Sequence, residues 1–170
     1  MTSVRKLLSL LLILSLVLVA STSCSTVRRH CEISIDLPSR FTDYDSGKSF
    51  DLAYSDGSII VGILRLSFDA CLKDNVPITM SPESFAAFYR KSASGVDGLT
   101  EVEVYGDVPY FSYELDGEGS GRYFYMPTFY VSPYAYFVIS FITDVNFVEG
   151  AKNDIFSFID TVRINNNVQG

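Results

Sequence analysis

The chain has 170 residues, 48% of them hydrophobic and 14% aromatic, and its 13 basic against 20 acidic side chains leave a net charge of −7. That acidity argues against nucleic acid and anionic lipid headgroups as partners, because both are held by positive patches. A single histidine, His30, sets aside histidine-rich zinc sites and nucleophile–histidine catalysis.

The first segment is a leader. Arg5 and Lys6 precede a charge-free, largely apolar run over residues 7–20, then Ser21, Thr22 and Ser23 lead to Cys24, the layout of a signal peptide. At about 14 residues the run is too short for a helix to cross a hydrocarbon core, which takes about 20. Small residues ahead of a cysteine resemble the lipobox of bacterial lipoproteins, with Ser21 where that motif usually carries Leu. The expectation is lipidation at Cys24, and ordinary cleavage near Ala20 is its rival. Two or three acyl chains would make membrane attachment stable where one would not. Removal of residues 1–23 leaves one domain-sized chain carrying 11 basic and 20 acidic residues. Residues 24–30, with Arg28, Arg29 and His30, read as the lipidated cysteine and a polar tether.

The domain is expected over residues 31–164. Cys31, Ile33, Ile35 and Leu37 alternate with polar residues as a half-buried strand does, and Pro38 closes it. After a turn-rich loop over residues 42–48, residues 49–54 and 58–68 read as strands joined by Ser55-Asp56-Gly57, a tight-turn sequence. The second is almost wholly apolar and is expected at the centre of a sheet. Cys31 at the start of the first strand and Cys71 at the end of the third form a candidate disulfide in an exported protein, worth at most about 4 kcal/mol on the chain-entropy model. Free buried thiols are the alternative.

A helix should start at Ser81 as N-cap, with Pro82 next and Glu83 in the first turn. Phe85, Phe88 and Tyr89 give it one apolar stripe. Three strands follow over residues 100–105, 109–115 and 122–131, then a fourth over 134–143. A second helix spans 147–160, a last short strand 161–164, and residues 165–170 read as a disordered tail. Runs of strands with short turns and two flanking helices mean α+β with a mostly antiparallel sheet.

The opening Ile33-x-Ile35-x-Leu37-Pro38-x-x-Phe41, the mid-chain helix, the aromatic strand over residues 136–141 and the closing Ile155, Ile159, Thr161-Val162-Arg163-Ile164 resemble the PsbP-type fold, an αβα sandwich. The resemblance covers residues 31–164 and rests on hydrophobic spacing; cystatin-like and other sheet-plus-helix folds stand behind it. It implies a module that tends to bind other proteins, with no catalytic set to carry over.

Several loops invite a chemical reading that their spacing does not sustain. Gly47-Lys48-Ser49 lacks the leading glycine and following helix of a phosphate loop. Asp43, Asp45, Ser49 and Asp51 alternate like calcium ligands, but the glycine is one position early and Tyr54 stands where a glutamate belongs, so the segment reads as a solvated turn. Residues 116–121, Asp-Gly-Glu-Gly-Ser-Gly, precede a strand where a dinucleotide loop requires a helix. They read as a hairpin tip. Carboxylate chemistry at Asp36 or Glu114 has no supporting pattern.

The tyrosines of the last hairpin are the most informative feature. With a two- or four-residue connection at Ser132-Pro133, Tyr123, Tyr125, Phe129, Val131, Tyr134, Tyr136 and Val138 share one face, and Phe124, Met126, Tyr130, Phe137, Ile139 and Phe141 share the other. A three-residue loop would flip one strand. The greasy face is expected to take the main core and the tyrosine face either to lie under the second helix or to stay partly open for contact. The expected function is therefore a non-catalytic envelope lipoprotein that meets another envelope protein through Tyr123, Tyr125, Tyr134, Tyr136, Asp116 and Glu118. The alternative is a binder of a small apolar molecule or glycan. No nucleic acid, metal or cofactor is expected.

Overall fold

Alternating apolar residues and tight turns build two sheets and three helices in the computed structural model, which describes residues 25–117 and 121–165. The strands, in chain order, are β1 (Ser25–His30), β2 (Ile33–Pro38), β3 (Thr42–Asp43), β4 (Leu52–Ser55), β5 (Ile59–Ser67), β6 (Glu103–Tyr105), β7 (Val108–Tyr110), β8 (Tyr113–Asp116), β9 (Arg122–Val131), β10 (Ala135–Asp144) and β11 (Arg163–Ile164). The helices are α1 (Phe68–Lys73), α2 (Pro82–Ser92) and α3 (Val148–Ile159). A large sheet runs β3-β4-β5-β10-β9-β7-β6, with β8 also paired to β9, and a small sheet runs β1-β2-β11. All strand pairings among the described residues are antiparallel. The molecule is α+β, as its strand-rich pattern implies.

The long β9–β10 hairpin fixes the frame. Tyr136 pairs with Val131, so residues 132–135 form a four-residue connection. Ser132 holds it, its Oγ accepting from the amides of Tyr134 and Ala135. The two faces of the hairpin therefore divide as the sequence predicts. Met126, Tyr130, Phe137, Ile139 and Phe141 join Ile33, Ile35 and Leu37 of β2 and Ile155, Phe158 and Ile159 of α3 in the larger core. Phe129, Tyr136 and Val138 join Phe85 and Ala86 of α2 and Cys71 of α1 in a second core on the opposite face.

The assignment of helices to faces is exchanged. The tyrosine face lies under the first of the two expected helices, α2, and the second, α3, covers the greasy face. Helical periodicity gives α2 and α3 one apolar stripe each, and nothing in a stripe names the sheet face it meets.

Four further expectations change. Residues 25–30 are a strand, not a tether, paired along their length with β2. Arg28 holds it down, donating to the Phe41 carbonyl at 2.7 Å and stacking 4.9 Å over the Tyr54 ring. The apolar run of β5 stops at Ser67, whose Oγ accepts from the Ala70 amide and caps α1. Residues 109–115 split between β7 and β8. Because Cys71 rides on α1, it belongs to the second core, while Cys31 sits exposed in the β1–β2 turn at φ 50°. Both thiols are free, and burial pushes that of Cys71 above its ordinary value.

One charged pair ties the two sheets together. Glu32, 4% exposed in the β1–β2 turn, accepts two bonds from Arg65 of β5 at 3.1 and 3.2 Å. The Arg65 guanidinium lowers the Glu32 carboxyl below its ordinary range against the opposing effect of burial.

Candidate functional site

The tyrosine face is filled at one end and open at the other. At the filled end, near the β9–β10 turn, Phe85 of α2 stacks on Tyr136 with ring centroids 4.3 Å apart and meets Phe129 edge-on at 5.4 Å. The Tyr136 hydroxyl donates to the Pro77 carbonyl at 2.8 Å and accepts from the Met80 amide at 3.0 Å. Its phenol is a core hydrogen-bonding group.

At the boundary stands Gly62. Ser140 faces it across the ladder and Pro127 faces Ser140 from β9, so this rung offers only small side chains or a ring without a donor. The ring of Phe50 takes the space, so close that a Cβ at position 62 would lie 2.5 Å from Phe50 Cδ2. A glycine inside an apolar strand is the sequence signal of such close approach.

Beyond Phe50, Ile60 of β5, Ile142 of β10 and Tyr125 of β9 lie in one cross-strand row. They floor a groove of about 390 Å³, walled by Tyr44, Asp45, Ser46 and Ser49 on one side and Gly117 and Tyr123 on the other. A second depression of similar volume continues it past Ser58, Thr143 and Asp144 to Phe147, sharing Tyr44, Ile60, Tyr123 and Ile142. The groove is an open trough, and Tyr44 at its lip is 45% exposed.

Its walls are fixed from within. The Tyr44 amide donates to the Ala53 carbonyl, and Asp45 Oδ1 accepts from the Gly47 amide at 2.9 Å. Asp51, the last member of the calcium-like series, accepts from the Arg65 amide at 2.7 Å and lies 3.5 Å from His30 Nε2. These carboxylates bind their own chain. Among the described residues no group of three or more His, Cys, Asp or Glu could hold a metal ion.

On the other wall, the Tyr123 ring lies against Gly117, where any Cβ would collide with it. Gly117 donates to the Gly121 carbonyl at 2.7 Å, closing the base of the loop. Glycine at 117 thus admits an aromatic wall as well as a turn. Tyr125 stacks on Tyr113 of β8 at 5.3 Å, and burial followed by its phenol neighbours pushes Tyr113 up to about 12. Burial raises Tyr125 as well. The Tyr125 phenol stays protonated near neutral pH and offers the groove a hydroxyl group and an apolar ring.

The structure brings Tyr123 and Tyr125 together in the groove and puts exposed Asp116 at its edge, one residue before Gly117. It sends the others elsewhere. Tyr136 is fully buried and is withdrawn from the contact surface, because α2 covers that end of the face. Tyr134, 46% exposed, sits in the β9–β10 turn at the far end of the hairpin. Glu118 and Cys24 lie outside the described residues. Glu114 is engaged by Arg122 Nε at 2.9 Å. Sequence reasoning missed Tyr44, Phe50, Ile60 and Ile142, and Gly62 was the available pointer to them.

No protein-family model and no curated protein matches the sequence. Solved structures do. A Bacteroides thetaiotaomicron protein is similar with a TM-score of 0.54 at 12% identity over 85% of this chain, which spans 49% of that protein. LpqN, involved in cell envelope biogenesis of Mycobacterium tuberculosis, is similar at 0.49 and 9% identity, covering 84% of this chain and 91% of its own. Cyanobacterial PsbP from Synechocystis sp. PCC 6803 is similar at 0.46 and 13% identity, covering 85% and 95%. The Bacteroides likeness is one of fold; identities this low carry nothing about activity. Among the described residues, no helix is long and apolar enough to cross a membrane.

Proposed function

We propose that the chain is an exported lipoprotein of PsbP type, held to a membrane through Cys24, whose domain is a non-catalytic module that meets another envelope protein through the tyrosine groove. One observation carries the reading. The face that α2 fills at one end is, among the described residues, an open trough beyond Phe50, lined by Ile60, Ile142, Tyr123 and Tyr125. Tyrosine and aromatic surfaces in fixed geometry suit protein contact, since they bring large area at small entropic cost. An open trough admits a protein segment along its length. Its volume of about 390 Å³ also falls in the range of small-ligand sites, which favours the second reading, binding of an apolar molecule or glycan.

A photoreactive amino acid at Tyr44, in the full chain processed by its own cells, tests the proposal. The expected product is one discrete protein adduct, lost when Tyr123 and Tyr125 are both serine and absent when the probe replaces exposed Glu83 on α2. A low-mass adduct selects the ligand reading. No adduct at Tyr44 rejects both.

A further inference from the structure

We infer that the end of the domain bearing Phe147 and the β4–β5 turn seats directly on the bilayer surface, so that the tyrosine groove opens beside the lipid headgroups. The inference rests on the proposed lipidation of Cys24 and adds an orientation to it. Its basis is the place of Ser25 in the small sheet. Ser25 is already in β1, paired with Pro38, so a lipid on Cys24 is one residue from the folded sheet. Adjacent Cα atoms are about 3.8 Å apart, and each headgroup layer is roughly 5–8 Å thick, half the difference between the whole bilayer and its hydrocarbon core. A domain joined this closely has no slack with which to stand off.

The face this presents is fixed by the neighbours of Pro38. The Phe41 amide bonds the Pro38 carbonyl at 3.0 Å, and Arg40 between them bridges Asp56 of the β4–β5 turn at 2.8 Å and Asp154 of α3 at 3.3 Å. Arg40, Asp56 and Asp154 line one depression together with Ser58 and Phe147. Phe147 is 63% exposed, the largest exposure among the large hydrophobic side chains described. It also lines the outer end of the tyrosine groove. An exposed ring in the depression that Arg40 lines, two residues from the pairing partner of Ser25, is what an interfacial surface requires. Asp56, Asp144 and Asp154 line the depressions around Phe147 against Arg40, so the seat suits a zwitterionic surface and opposes an anionic one.

The chain has no tryptophan, so Phe147→Trp supplies a single reporter in the full, acylated protein. Leu72→Trp is the control: it is 58% exposed on α1, which follows the opposite end of β5. In phosphatidylcholine vesicles the emission of the Phe147→Trp protein should shift to the blue and be lost to brominated acyl chains, and that of the Leu72→Trp protein should do neither. A flexible Gly/Ser insertion between Cys24 and Ser25 should restore the emission without releasing the protein. Floating, acylated protein whose Phe147→Trp reporter is unquenched, or in which both reporters are quenched alike, overturns the seat and leaves the anchor standing. An unacylated chain by intact mass, or one that does not float, overturns the anchor itself. Blue-shifted but unquenched emission, with doubled mass for the Cys24→Ser form, gives the face to a second copy and overturns the seat.

Discussion

The two ends of the tyrosine face are built from the same two strands and the same residue types, yet one is core and the other is surface. At the α2 end, Phe85, Phe129 and Tyr136 interlock, and the one phenol is satisfied by Pro77 and Met80. At the other end, Tyr123 and Tyr125 line an open groove with Ile60 and Ile142, and Phe50 over Gly62 marks the change. The difference teaches that alternation along a strand decides which face a ring occupies, while the reach of the covering helix decides what that ring does. The α2 stripe ends after three turns.

The largest test of this contrast is Phe85→Ala, which empties the filled end. Loss of a buried phenylalanine costs about 3–5 kcal/mol, so the urea midpoint should fall sharply while the groove tyrosines keep their environment in the protein that remains folded. An effect under about 1 kcal/mol would mean the α2 end is no core at all. Next comes Glu32→Gln, expected to cost about 3 kcal/mol near neutral pH by leaving Arg65 without its buried partner. Because Arg65 holds the folded-state pKa of Glu32 below its unfolded value, this stabilisation is complete above the unfolded value and is lost as pH falls through the folded one. Urea titrations across the carboxylate range should therefore show a shallower acid limb for the variant than for the parent; equal limbs would remove Glu32 from the account of acid stability.

Gly62→Ala probes the boundary itself. The added Cβ must lift the Phe50 ring from the sheet, at about 1–3 kcal/mol, the usual range for overpacking. Partner capture at the groove should weaken with it, and an unshifted Phe50 ring in a crystal structure of the variant would contradict the placement. The smallest effect is expected for Tyr123→Ser. At the open rim it should change stability by under about 1 kcal/mol yet remove the adduct at Tyr44, whereas a loss as large as that of Phe85→Ala would make the open end a second core.

Much of this arrangement is legible in the sequence. Ser81-Pro82-Glu83 marks the start of α2 to the residue, and a two- or four-residue connection at Ser132-Pro133 sorts the hairpin faces; the structure has four. What stayed hidden depended on contacts between distant segments. Residues 25–30 look polar because the apolar contact of Arg28 is with Tyr54, a neighbour no local pattern reveals. Ser67 and Asp69 carried the cap and first-turn charge of α1, but the apolar run before them masked the start. The groove was half visible: its tyrosines stood in the hairpin, and its opposite wall came from a loop whose spaced carboxylates drew attention to ions instead of to Tyr44 and Phe50.

The small sheet gives the molecule a mechanical axis. β2 lies between β1 and β11, and the chain enters beside Pro38 but leaves beside Ile33, five steps of about 3.4 Å further along. With the proposed lipid on Cys24, tension between it and anything fused after Ile164 would run along the strands, straining the rungs of both ladders together rather than unzipping them singly. A reporter placed at that exit would stand at the opposite end of β2 from the proposed anchor.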